Sequence, residues 1–214
     1  MALRYDCSTA SGRGDGLREA ASAVRRGELV VLPTDTVYGI GADAFDRDAV
    51  EGLLNAKGRD RAMPSPVLVA SPDALHDLVT DLPQEGWALV EAFWPGGLTL
   101  VARHQASLTW DLGETHGTVA VRMPSHPVAL ELLAATGPMA VSSANLTGHP
   151  SPQDCDAAHG MLGDSVAVYL DGGRTEAAVA SSIVDLTGPV PVLRRAGAIS
   201  AEILRKVVPD LKES

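Results

Sequence analysis

Three cations crowd the segment Lys57-Gly58-Arg59-Asp60-Arg61, two more stand together at Arg194-Arg195, and Arg122 ends the apolar run Val119-Ala120-Val121. Cations that follow a helix often only meet its C-terminal carbonyls. Here they recur at strand-like ends in a chain of formal net charge -10. Converging, they would form a pocket for a polyanion such as a nucleoside triphosphate. Hydroxyls suited to a small polar substrate accompany them: Thr36, Ser142, Ser143, Ser181 and Ser182. No GxxxxGK[ST] occurs, and Gly39-Ile40-Gly41 lacks the third glycine of a dinucleotide fingerprint, so side chains and scattered amides must grip the phosphates. A GxSxG elbow is absent as well, and nothing marks a covalent nucleophile. Cys155 and His159 are spaced as neighbours on one helical face, but two ligands do not make a zinc site, and no metal site is expected.

The elements that must position these residues are readable from apolar spacing. The run Leu29-Val30-Val31-Leu32 stops at Pro33 and reads as a buried strand opening into the polar loop Pro33 to Gly41. Met139-Ala140-Val141 runs likewise into Ser142-Ser143-Ala144-Asn145-Leu146-Thr147-Gly148. Two hydroxyl-rich strand-end loops suggest one polar ligand held from two sides. Helices are predicted from Gly16 to Gly27, from Asp46 to about Gly58, after Ser71-Pro72-Asp73, and over Trp87 to Trp94, Ser125 to Ala135, Ser151 to His159 and Ser200 to Val208. Further strands fit Pro66 to Ala70, Leu98 to Ala102, Thr118 to Arg122, Val166 to Leu170, Ser182 to Leu186 and Val190 to Leu193. About seven strands interleaved with helices predict a three-layer α/β domain (α+β in some schemes). The close pair around Thr187-Gly188-Pro189 makes the sheet mixed.

Composition sets the outer limits. With 214 residues, 45% hydrophobic and 21% charged, one domain spanning 1–214 can bury a full core. The acidic balance disfavours a broad nucleic-acid surface, because such binding depends on Lys and Arg neutralising phosphates. Cys7 and Cys155 form no framework and are expected as reduced thiols. The N-terminus lacks an apolar leader, and no run approaches the roughly 18 apolar residues of a membrane helix, so a cytoplasmic protein is expected.

Taken in order, Pro33-Thr34-Asp35-Thr36-Val37-Tyr38-Gly39, Lys57-Gly58-Arg59, Ser143-Ala144-Asn145-Leu146-Thr147-Gly148 and Ser181-Ser182-Ile183-Val184-Asp185 resemble the YrdC-like family of L-threonylcarbamoyladenylate synthases. The match runs from about Gly16 to Ile199, and the chain looks like the family's short form, without the C-terminal domain of longer members. The resemblance implies a twisted mixed sheet flanked by helices, with ligands in a concave groove. It implies formation of threonylcarbamoyl-AMP and pyrophosphate from L-threonine, bicarbonate and ATP with Mg2+, feeding downstream tRNA threonylcarbamoyl transferase proteins. By position, Thr36, Arg122, Ser143 and Ser181 would meet threonine. Lys57, Arg59, Thr118, Asn145 and Arg195 would meet ATP, with Arg194 as the alternative to Arg195. Lys57, Arg59 and Arg195 would stabilise the reacting phosphate. The chain departs from many members at Met63, where a Lys or polar residue is usual, and at Leu68, where several have His; Arg61 is the candidate replacement for the charge missing at Met63. Two rival readings are a YrdC-like carbamoyl-adenylate enzyme of another pathway, as in hydrogenase maturation, and an RNA-binding module.

Overall fold

The computed structural model describes residues 2–175 and 179–214. Its first half runs β1 (Leu3–Asp6), α1 (Ala10–Arg25), β2 (Val30–Leu32), β3 (Gly39–Asp43), α2 (Arg47–Lys57), β4 (Val67–Leu68), α3 (Ala74–Leu78), α4 (Gln84–Phe93) and β5 (Leu98–Arg103). The second continues with β6 (Thr118–Arg122), α5 (Pro127–Thr136), β7 (Met139–Ser143), α6 (Cys155–Leu162), β8 (Val168–Asp171), β9 (Ser182–Asp185), β10 (Val192–Arg195), α7 (Ala201–Arg205) and β11 (Lys212–Glu213).

Local chemistry explains many of the boundaries. The Asp46 carboxylate accepts the Asp48 and Ala49 amides at the start of α2, and Gly58 ends the helix in the left-handed conformation at φ 59°. Ser200 caps α7 in the same way by accepting the Ile203 amide. Helices α1, α4 and α6 start elsewhere than their sequence suggests, α4 at Gln84, after Pro83, rather than at Trp87. Thr9 caps α1, so the helix begins well before Gly16 and absorbs Gly12 and Gly14. Asp154, whose carboxylate accepts the Ala157 amide, delays α6 past Ser151.

All the strands join one sheet in the order β1-β8-β2-β3-β7-β4-β6-β5-β9-β10-β11. Among the described residues the count is eleven, not about seven. Among the strands beyond the expectation, β1 carries exposed Leu3, Arg4 and Asp6, β3 is Gly-rich, and β11 is only two residues long, so each lacks the apolar run that signals a strand. β3 also shortens the expected polar loop, for Gly39 to Gly41 pair antiparallel with β2. The mixed character holds: β5 and β9 are parallel, while β5 and β6, and β9 and β10, are antiparallel.

Side-chain alternation sorts the strands onto three apolar clusters. Val30 and Leu32 pack with α1 and α5, while Val31 and Ile40 point the other way, toward α2 and α6. Further along, Leu98, Leu100, Val119, Val121 and Val184 pack with α3 and α4. The alternate residues Thr99, Val101, Ala120, Arg122 and Ile183 line the open groove on the opposite face.

Candidate functional site

The groove encloses about 340 Å³. Its floor comes from β5, β6 and β9, and its walls come from the loop after β2, the end of β7, and the segment after α2. A larger, shallower hollow of about 750 Å³ lies elsewhere, beside Glu19, Arg26, Glu28 and Asp164, and holds none of the expected residues.

Arg122 is 6% exposed and is held on three sides. Its Nε donates to the Gly96 carbonyl at 2.9 Å, Nη1 donates to Thr36 Oγ1 at 2.8 Å, and Nη2 donates to Asp35 Oδ1 at 2.5 Å. Burial lowers the affinity of Arg122 for its proton, and Asp35 opposes that shift. Thr34 holds the loop in shape: its hydroxyl donates to the Val37 carbonyl at 2.7 Å and accepts the backbone N–H groups of Thr36 and Val37 at 3.1 and 3.3 Å, with Thr36 Oγ1 3.1 Å away.

Arg59 Nη1 donates to Ser142 Oγ at 2.7 Å, and its Nε is buried without a partner. Lys57 lies behind this wall rather than on the groove lining, 2% exposed, with Nζ donating to the carbonyls of Ser143 and Asn145. Burial, reinforced by Arg59, pushes the Lys57 ammonium down to about 8. Arg195 donates through Nε to the Ser181 carbonyl at 2.9 Å and through Nη2 to Ser181 Oγ at 3.1 Å. Ser181 Oγ in turn lies 2.7 Å from Thr99 Oγ1.

Arg195, not Arg194, lines the groove, and a bulge decides it. Leu193 pairs with the core-facing Val184, yet Arg195 pairs with the groove-facing Ile183, two residues of β10 against one of β9. Arg194 is left on the surface with Asp185, 2.9 Å away.

Thus Thr36, Arg59, Arg122, Ser143, Ser181 and Arg195 are brought together. Asn145 is buried nearby, its amide nitrogen donating to the Leu146 and His149 carbonyls while Oδ1 has no partner. Thr118 stands outside the groove lining, two residues before Ala120 on the same face of β6, and donates to the Thr115 carbonyl. Arg61 does not replace a charge at the groove: it pairs with Asp111 at 2.6 Å, while Met63 is 42% exposed. Leu68, on β4, is part of the groove lining. Sequence reading missed Thr99, whose signal was a single hydroxyl between Leu98 and Leu100 on an otherwise apolar strand.

Burial pushes the Cys7 and Cys155 thiols up to about 11 and about 12, far from a reactive thiolate. No helix among the described residues is long and apolar enough to cross a membrane.

The fold and site define a class: a mixed-sheet α/β protein whose groove gathers cations and hydroxyls. The Sua5/YciO/YrdC family model, described as "Telomere recombination", matches residues 22–197, and the chain belongs to that family. It is 53% identical over 208 residues to a putative threonylcarbamoyl-AMP synthase of Mycobacterium tuberculosis, covering 97% of this chain and 96% of that one. A threonylcarbamoyl-AMP synthase of Pyrococcus abyssi is 40% identical over 200 residues, 92% of this chain and 58% of its own. Among solved structures, P. abyssi Sua5 complexed with L-threonine superposes with a TM-score of 0.93 at 35% identity. That match covers all of this chain and 62% of the Sua5 chain.

Proposed function

We propose that this protein is a threonylcarbamoyl-AMP synthase, an adenylyl-transferring enzyme that uses L-threonine, bicarbonate or CO2, and ATP. The observation that carries the reading is the meeting, in one groove, of a directed guanidinium, Arg122, with cations that have no acidic partner among the described residues, Arg59 and Arg195. Arg122, Thr36, Ser143 and Ser181 hold threonine; Arg59 and Arg195 hold the phosphates, with Lys57 behind them. Asn145 Oδ1, a buried acceptor without a donor, suits a ribose hydroxyl. Thr118, at the far end of the Ala120 and Arg122 face, keeps a nucleotide role only if the ligand extends along β6.

In the reaction the threonine amine attacks CO2 and loses a proton to give a carbamate. A carbamate oxygen then attacks the α-phosphorus and pyrophosphate leaves. No enzyme nucleophile is needed, so the protein's work is alignment and stabilisation of phosphate charge. Mg2+ enters with ATP as part of the substrate. Asp35 is committed to Arg122, and no group of three or more His, Cys, Asp or Glu among the described residues could hold a metal ion, so no protein ligand is assigned to it. The product is a mixed anhydride, which downstream tRNA threonylcarbamoyl transferase proteins would consume, and the expected compartment is the cytoplasm.

The test is pyrophosphate release from ATP with and without L-threonine and bicarbonate. Release that requires both is expected. Release independent of threonine would overturn the reading, and release requiring carbamoyl phosphate instead would move the protein to the hydrogenase-maturation type.

A further inference from the structure

Charge in the groove region is divided unevenly. Lys57 donates to backbone carbonyls, Arg59 to the Ser142 hydroxyl, and Arg195 to the carbonyl and hydroxyl of Ser181, all neutral acceptors. Arg122 differs, because Asp35 Oδ1 stands 2.5 Å from its Nη2. The same Oδ1 accepts the Ser125 backbone N–H at 2.8 Å, so the carboxylate is anchored from the turn before α5. Asp35 is not itself on the groove lining.

An inventory of protons shows what the pairing leaves over. A guanidinium carries five N–H groups. In Arg122 one goes to Gly96, one to Thr36 and one to Asp35. One remains on each terminal nitrogen, the number that a carboxylate takes in a bidentate pair. Asp35 offsets the charge of Arg122, which therefore offers direction with little charge of its own. Lys57 and Arg59, which have no acidic partner among the described residues, make the β7 side of the groove attractive to a polyanion, whereas Arg195, bonded to Ser181 beside β9, stands near enough to Arg122 to feel its charge.

We propose that Asp35 is a positioning residue: it aims Arg122 at an amino-acid carboxylate and, by offsetting its charge, leaves polyphosphate to the cations without an acidic partner rather than to Arg122. This inference rests on the adenylyl-transfer reading above. Without Asp35, Arg122 is a buried cation with no counter-charge, and phosphate oxygens compete for it as readily as a carboxylate does.

Steady-state pyrophosphate release by the full chain tests this, with inorganic tripolyphosphate as the polyanion probe. Asp35→Asn keeps an acceptor for Ser125 and removes the charge; Asp35→Ala removes both. We expect Asp35→Asn to lower kcat/KM for threonine about 10-fold and Asp35→Ala about 100-fold, with kcat/KM for ATP within about 2-fold of wild type, in line with the strength of charge-assisted hydrogen bonds. Tripolyphosphate, competitive with ATP alone in the wild type, should become competitive with threonine in Asp35→Asn. In an Arg122→Ala background, Asp35→Asn should have no further effect. If Asp35→Ala does not fold, Asp35→Asn still decides the matter. Equal losses for both substrates, an unchanged inhibition pattern, or full additivity with Arg122→Ala would overturn the role of Asp35 while leaving the function standing. Wild-type protein that releases no threonine-dependent pyrophosphate would overturn both.

Discussion

Lys57 shows how a single side chain acquires its character from burial. A lysine in water holds its proton to about 10.5, whereas here desolvation and the neighbouring Arg59 bring it down to about 8. Between those two values the unfolded chain binds a proton that the folded chain has released, so the stability of the ligand-free protein should rise with pH across about 8 to 10.5. A Lys57→Met variant, lacking that proton, should lose this rise in chemical-denaturation curves. A polyphosphate favours the charged form, so ATP affinity should fall above about pH 8 and binding should be accompanied by proton uptake. Calorimetry of ATP binding at pH 8.5, in two buffers of different ionisation enthalpy, reads that proton directly. No buffer dependence would place Lys57 away from the phosphates.

At the scale of elements, the groove depends on a turn being held tightly to a strand. Ser182 Oγ accepts the amides of Gly197 and Ile199 and donates to the Ile199 carbonyl at 2.6 Å, tying the segment after β10 to the start of β9. Gly197 permits that approach: a Cβ there would stand 2.3 Å from the Ala180 carbonyl oxygen and 2.6 Å from Ser181. Gly197→Ala should therefore cost about 1–3 kcal/mol, the usual scale for overpacking. It should also lower kcat/KM, because the shift falls on Ser181 and Arg195. Thermal denaturation together with pyrophosphate release checks both effects. A variant with wild-type melting temperature and turnover would show that the turn has slack which the close contact does not suggest.

Across the whole molecule, the formal charge of -10 surrounds a groove fed by cations. A nucleoside triphosphate can reach such a site as a small, mobile anion, but a tRNA must meet the acidic surface over a wide area. Filter binding of bulk tRNA should accordingly show no saturable complex at about 0.15 M salt, near the physiological range, even where ATP is turned over. A tight, salt-sensitive tRNA complex would show that a basic patch outweighs the net charge. The same acidic surface belongs to a sheet whose three apolar clusters are spread along its length, so the groove is a gap between helical covers rather than a cleft between lobes.

How much of this the chain announces in advance depends on the range of the forces involved. Asp46, Gly58 and Ser200 act through bonds within a few residues, and the ends of α2 and the start of α7 are legible from them. The ordered motifs likewise pointed to Thr36, Arg59, Ser143 and Ser181, and the end of the run Val119-Ala120-Val121 pointed to Arg122; all of these meet in the groove. β3 was not legible, because Gly39 and Gly41 suit a loop until β2 and β7 supply partners on both sides. Nor was the commitment of Arg61 to Asp111, fifty residues away. Arg194 and Arg195 are the sharpest case: both are cations after an apolar strand, and simple alternation from buried Leu193 would send Arg195 toward the core face. The bulge against β9 reverses that parity and brings Arg195 to the groove. The sequence by itself thus determined the kinds of groups available and the local ends of the helices, since those follow from composition and short-range hydrogen bonds. Which cation faces the groove, which is neutralised, and which lies buried behind the wall were decided only by tertiary structure, because strand register and burial depend on partners distant in the chain.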